Sequence, residues 1–343
     1  MKKHKADKLS CRDSQKLLCI QLAWVLIVTA CATIPRNALE SDRGDFDLLP
    51  ENGTVYIWAN IHEARPLLES ITFDGLSLMQ AGQILDRTTS AAAVFFSKEE
   101  TALQELGLHE QNFHGPGDRF LFSLRGKYPT FGAGFSFTFS RDWKKTKSLT
   151  GNSYWFSESY GIGVAMNQET ALVSGGDPFS KTASFQKQEP VRVPEGFDDF
   201  RQGAIMAGWI PDKEHVNKFL SDLSLPLQIP AEDFFFSIIK EPGNSEDLWQ
   251  LNFHIRTASA AQARALVTLF SLARMFIGSI PVQGIIEDND PADISLMDFL
   301  PYLFANIPDL DGSKLMLKSA VFSTAELSLL FNAISVYSTY ANL

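Results

Sequence analysis

Three groupings in this sequence have residue types that could carry chemistry. His109-Glu110-Gln111-Asn112-Phe113-His114 offers two imidazoles and a carboxylate within six positions. A zincin helix needs His-Glu-x-x-His, because imidazoles four apart share a helical face. Here the two are five apart and run into Gly115-Pro116-Gly117, which reads as a solvated loop. Glu287, Asp288, Asp290 and Asp293 bring four carboxylates together, with Asp309 and Asp311 as a second acidic pair; calcium is the ion such donors would take. Neither set has the glycine at the sixth position and the distal glutamate of an EF-hand loop, so solvated acidic loops are expected and no metal is assigned. Gly161-Ile162-Gly163 lacks the third glycine and the strand-to-helix setting of a dinucleotide site, and reads as strand glycines that permit close packing. There is no Gly-x-Ser-x-Gly elbow, and no cofactor is implied. His62 and His215 stand at similar helix entries, where surface placement explains them more simply than paired catalysis.

The stretch that orders the rest lies at the N-terminus. Lys2, Lys3, Lys5, Lys8, Arg12 and Lys16 precede an apolar run, Leu17 to Cys31, which ends in Val28-Thr29-Ala30-Cys31. Basic, apolar, then small is the layout of a secretory signal peptide. The run is shorter than the roughly 20 residues of a membrane span. Val-Thr-Ala-Cys resembles the lipobox of bacterial lipoproteins. That resemblance, limited to residues 1–31, implies cleavage before Cys31 and acylation of Cys31, with fatty acids such as palmitate. It also implies an outer-membrane destination, because Ala32 stands where inner-membrane retention favours Asp. Two or three acyl chains, at about 0.8 kcal/mol per buried methylene, hold a protein stably without a span.

The whole chain has 40 acidic and 30 basic residues. Removing residues 1–30 takes two of the former and six of the latter, leaving 38 and 24 and a net charge of −14. Such a body is unsuited to nucleic acid or to electrostatic docking on anionic lipid. Cys11 and Cys19 would leave with the signal and Cys31 would carry lipid, so neither a disulfide nor thiol catalysis is expected. Stability must come from a core, to which 27 Phe contribute.

The expected organisation is a signal peptide over 1–30, the lipidated Cys31 with a flexible tether over 31–52, a first half over 53–178, a connecting segment over 179–202 and a second half over 203–343. The β-branched and aromatic run Gly53 to Ile61 predicts a strand, as does Gly203 to Ile210, each followed by a charged helix entry and a later Phe-rich strand. Two similar halves follow, an internal duplication of a strand-helix-hairpin unit. Trp249, Leu251, Phe253 and Ile255 alternate with Gln250, Asn252, His254 and Arg256, which predicts a strand buried on one face. Ser259 to Gln262 has capping-box spacing before a helix with Leu266, Leu269, Phe270, Ala273, Phe276 and Ile277 inward; Ser323 to Glu326 does the same for a terminal helix. The predicted class is α+β, with antiparallel sheets packed by helices.

Together these point to a non-enzymatic lipoprotein of the cell envelope, anchored in the outer membrane through Cys31, that binds an envelope protein or serves a structural role. A carrier or sensor of lipid-like hydrophobic ligands is the alternative, suggested by apolar Phe270 to Ile286 and Leu296 to Ile307. An envelope hydrolase has no motif in its support.

Overall fold

Alternation is the strongest local signal, and the pairing it directs sets the architecture. The computed structural model describes residues 44–70, 86–96, 120–128, 143–158, 161–211, 213–222, 229–241, 247–277 and 296–340. The strand carrying that alternation, Leu248–Thr257, pairs antiparallel with Ala231–Lys240 on one side and Lys314–Ser323 on the other. In chain order the strands are β1 Val55–Asn60, β2 Thr88–Phe95, β3 Phe120–Gly126, β4 Trp143–Lys147, β5 Ser153–Ser157, β6 Ile162–Met166, β7 Thr170–Gly175, β8 Ala204–Ile210, β9 Ala231–Lys240, β10 Leu248–Thr257, β11 Asp309–Asp311 and β12 Lys314–Ser323. The longer helices are α1 Ile61–Ser70, α2 Lys213–Asp222, α3 Ala260–Ile277 and α4 Thr324–Tyr340.

All twelve strands among the described residues form one antiparallel sheet in the order β11-β12-β10-β9-β8-β1-β2-β3-β7-β6-β5-β4. This overturns the expected α+β arrangement of separate sheets packed by helices. The reason lies at β1 and β8. Each hydrogen-bonds a hairpin on one side, β1 to β2 and β8 to β9, leaving an open backbone edge. Those edges pair with each other, Tyr56 opposite Trp209 and Ala59 opposite Met206, so two ladders that would each have ended in unsatisfied amides become one. Gly208 lets the strands meet: a Cβ there would lie 2.5 Å from the Tyr56 carbonyl oxygen and 2.4 Å from the Phe236 ring. The order strand, helix, hairpin occurs on both sides of this seam, as β1-α1-β2-β3 and β8-α2-β9-β10.

Trp249, Leu251, Phe253 and Ile255 share one face of the sheet, which α1, α2, α3, α4 and the turn of helix at 300–303 cover. The Ser323 box closes as its spacing predicts: the Glu326 amide donates to Ser323 Oγ at 3.2 Å and the Ser323 amide to Glu326 Oε2 at 2.6 Å. The opposite face is covered without long helices, by residues 44–52 and 179–201. Phe46, Leu48 and Leu49 are buried there with Phe179 and Phe197, although residues 44–52 were expected to be tether. The two segments also bind each other: the Ala183 amide donates to the Leu48 carbonyl, the Val191 amide to the Leu49 carbonyl, and Pro50 bridges to Pro190. Isolated aromatic anchors in irregular backbone have no period, so neither segment announces its burial in sequence.

Candidate functional site

Among the described residues, large exposed apolar side chains are gathered rather than scattered. Of the eight, Leu149 stands apart, whereas Leu269, Leu272, Met275, Ile307, Leu310, Met316 and Val321 all belong to α3, β11, β12 and the segment leading into β11. The elements that carry them pack together, since α3 lies against β10, β12, β11 and the helical turn at 300–303. Leu266 and Phe270 seat α3 in the core, while Leu272 and Met275 (65 % exposed) point outward. Leu269 was expected on the inner face; it too is exposed, because α3 is apolar around more of its circumference than the core can take. Phe270, Phe299 and Tyr302, from the runs that suggested a ligand wall, are core residues.

Beside α3, where the short β11 gives out, residues 304–308 run along β12. The Asn306 amide nitrogen donates to the Lys318 carbonyl at 3.1 Å and to the Ser319 carbonyl at 2.9 Å, fixing that segment to the strand. An open hollow of about 380 Å³ lies there, lined by Arg274, Asn306, Ile307, Asp309, Met316 and Lys318. His254 on β10 stands opposite Met316 in the ladder and is wedged against Phe200 and Phe235. Burial pushes its imidazole below the ordinary value, helped by Lys314 and Arg256 and opposed by Asp233.

A second polar centre holds the 44–52 segment in place. Asp45 accepts hydrogen bonds from Trp58 Nε1 at 2.8 Å and Ser90 Oγ at 2.9 Å, and pairs with Arg125 at 3.3 Å and Arg201 at 3.9 Å. Arg201 also lies 5.0 Å from the centre of the Trp58 ring. A third, around Asp177, is closed inward. Burial raises that carboxyl, against hydrogen bonds from the Phe179, Ser180 and Leu149 amides and the nearby Lys181, and burial raises the neighbouring Tyr154 to about 12. The Asp45 centre joins the 44–52 segment to the sheet, and the Asp177 centre organises a turn, its Oδ1 accepting from the Phe179 amide.

Of the residues singled out by sequence, Cys31, the 109–114 stretch and Glu287 to Asp293 lie outside the described residues. Asp309 and Asp311 sit on β11, exposed, with Asp309 lining the hollow. Among the described residues no three His, Cys, Asp or Glu gather as a metal site would require. His62 and His215 lie on separate helices, the first exposed and the second half-buried. Of the glycine pair read as close-packing strand glycines, Gly163 is one, since a Cβ would fall 1.9 Å from the Gly176 carbonyl oxygen, whereas Gly161 precedes the strand with φ +66° and has nothing within 4 Å of a Cβ. Arg274, Asn306 and Ile307 lie within the two apolar runs that suggested a ligand but were not singled out there, and Lys318 lies in neither; the four share no motif and meet only through the fold.

Among the described residues no helix is long and apolar enough to cross a membrane. No family model matches the chain, and no protein of curated function matches its sequence. Solved structures do match in shape. Crystal form III of TP0453 superposes with a TM-score of 0.53 at 16% identity, over 87% of this chain and 100% of that one. Crystal form IV gives 0.53 at 15%, over 86% and 98%, and form I gives 0.52 at 14%, over 86% and 100%. The chain is thus similar in fold to TP0453 along most of its length, and identity this low shows the fold alone.

Proposed function

We propose that this chain is a lipoprotein held at the outer membrane through acylated Cys31, whose folded body is a non-enzymatic binding or structural module of the cell envelope. The observation that carries a binding role is the gathering of Leu272, Met275, Ile307 and Met316 on α3, β12 and the segment leading into β11, elements that pack together at one end of the sheet. Single exposed hydrophobics are ordinary, whereas a contiguous group marks a surface that meets something. The anchor rests on the order of basic residues, apolar run and Val28 to Cys31.

The test uses the full chain in its envelope. Labelled fatty acid should enter the wild type and not Cys31→Ala, and label in the variant would remove the anchor. A photo-cross-linking amino acid placed at Leu272 should give an adduct that the same group at Leu149 does not; equal adducts at both would remove the binding end. A second reading, a carrier or sensor of hydrophobic ligands, is favoured by the hollow beside this patch.

A further inference from the structure

At the hollow beside β12 the local charge runs against the composition of the chain. Forty acidic residues outnumber thirty basic ones overall, yet the lining holds Arg274 and Lys318 against the single carboxylate of Asp309. α3 has no acidic residue from Ala260 to Ile277; its only charges are Arg264 and Arg274. Among the described residues neither Arg274 nor Lys318 has a carboxylate partner, unlike Arg256, which pairs with Asp233 one strand away. The remaining lining is Asn306, whose amide is committed to the β12 carbonyls, with Ile307 (63 % exposed) and Met316.

Two cations without a carboxylate partner among the described residues, beside exposed apolar side chains, match a ligand with an anionic head and an apolar tail. A guanidinium offers a planar fork of donors to a carboxylate or phosphate, and an ammonium adds a point charge beside it. The volume, about 380 Å³, falls within the roughly 300–1,000 Å³ of small-molecule sites. We propose that this hollow binds an anionic amphiphile, its carboxylate or phosphate head on Arg274 and Lys318 and its chain over Ile307 and Met316. The assignment rests on the reading of this end of the sheet as a binding surface, and names the chemistry it selects.

The test is calorimetric titration of the full Cys31→Ala chain with decanoate, decyl phosphate, decanol and inorganic phosphate, each below micelle formation. Decanoate and decyl phosphate should bind at least tenfold more tightly than decanol, and inorganic phosphate should not bind. Arg274→Ala with Lys318→Ala, both exposed and so harmless to folding, should erase that tenfold preference, whereas Asp309→Asn should tighten decanoate. Decanol binding as tightly as decanoate would overturn the ionic assignment and leave an apolar binding end intact. Inorganic phosphate binding as tightly as decyl phosphate would overturn it in favour of a free-anion site. No binding of any of the four would overturn it as well, while the adduct at Leu272 judges the broader reading separately. A double variant with unchanged affinities would place the ligand elsewhere.

Discussion

Tyr56 and Trp209 stack face to face across the β1/β8 seam, ring centroids 4.8 Å apart and planes within 13°. Phe46 and Phe197 meet the same indole edge-on at 4.9 and 4.6 Å, so three other segments converge on it. Trp209→Ala should cost about 3–5 kcal/mol, the range for deleting a large buried aromatic. Tyr56→Phe keeps the stack but orphans the Gly53 amide, which donates to the hydroxyl, and the Pro50 carbonyl, which accepts from it, both at 2.7 Å. That change should cost about 1–3 kcal/mol. Denaturant midpoints measure both; a Trp209→Ala loss below that of Tyr56→Phe would mean that the seam is not held by its aromatic layer.

The register of β10 separates two neighbouring substitutions. Trp249 is wholly buried and donates from Nε1 to Thr324 Oγ1 at 2.9 Å, whereas Asn252 is half-buried and its buried Oδ1 has no hydrogen-bond partner among the described residues, so truncating it removes no bond. Trp249→Ala should cost about 3–5 kcal/mol and Asn252→Ala under about 1. Equal losses in urea unfolding would mean that the strand is covered alike on both faces.

Asp45 ties the 44–52 segment to the sheet. Asp45→Ala leaves the Trp58 indole N–H and the Ser90 hydroxyl without their acceptor and removes the Asp45 carboxylate from Arg125 and from Arg201, which keeps Asp198, and should cost about 1–3 kcal/mol. Hydrogen exchange should rise first at the Leu49 amide, bonded to the Phe46 carbonyl, and at Val191, bonded to the Leu49 carbonyl. Exchange unchanged at those amides would show that Phe46 and Leu49 hold the segment alone.

His254 should make stability depend on pH in one direction. Its folded value is lowered from the ordinary 6.5 by burial, so below that value the unfolded chain binds the proton more readily. The contribution is complete above the unfolded value and is lost as pH falls through the folded one. Between about pH 7.5 and about pH 5 the thermal midpoint should fall more in the wild type than in His254→Gln. Parallel curves would mean that the imidazole titrates alike in both states.

Period-two burial made β10 legible in the sequence; in the structure the β6–β7 hairpin turns on Asn167, whose Oδ1 accepts from the Glu169 and Thr170 amides. The seam was not legible. Backbone edges carry no sequence label, and Val55 to Asn60 and Ala204 to Ile210 read the same whether they end two sheets or join one. The cover from Phe46, Phe179 and Phe197 was hidden for a related reason: an anchor in irregular chain has no neighbour at a fixed spacing to reveal it. At the hollow, Arg274 and Lys318 lie 44 positions apart, and only the packing of α3 beside β12 gives them a common wall.

The Asp45 centre also decides how the molecule bears load. Tension arriving along the backbone from upstream of Gly44 reaches a carboxylate whose partners sit on three adjacent strands, Trp58 on β1, Ser90 on β2 and Arg125 on β3. The Gly44 carbonyl adds a hydrogen bond from Arg125 at 2.8 Å. A pull there is divided across the middle of the ladder and must shear several contacts at once, instead of peeling one terminal strand from its neighbour. The mechanically weak margins, β4 and β11, lie at the far ends of the sheet, out of the line of force.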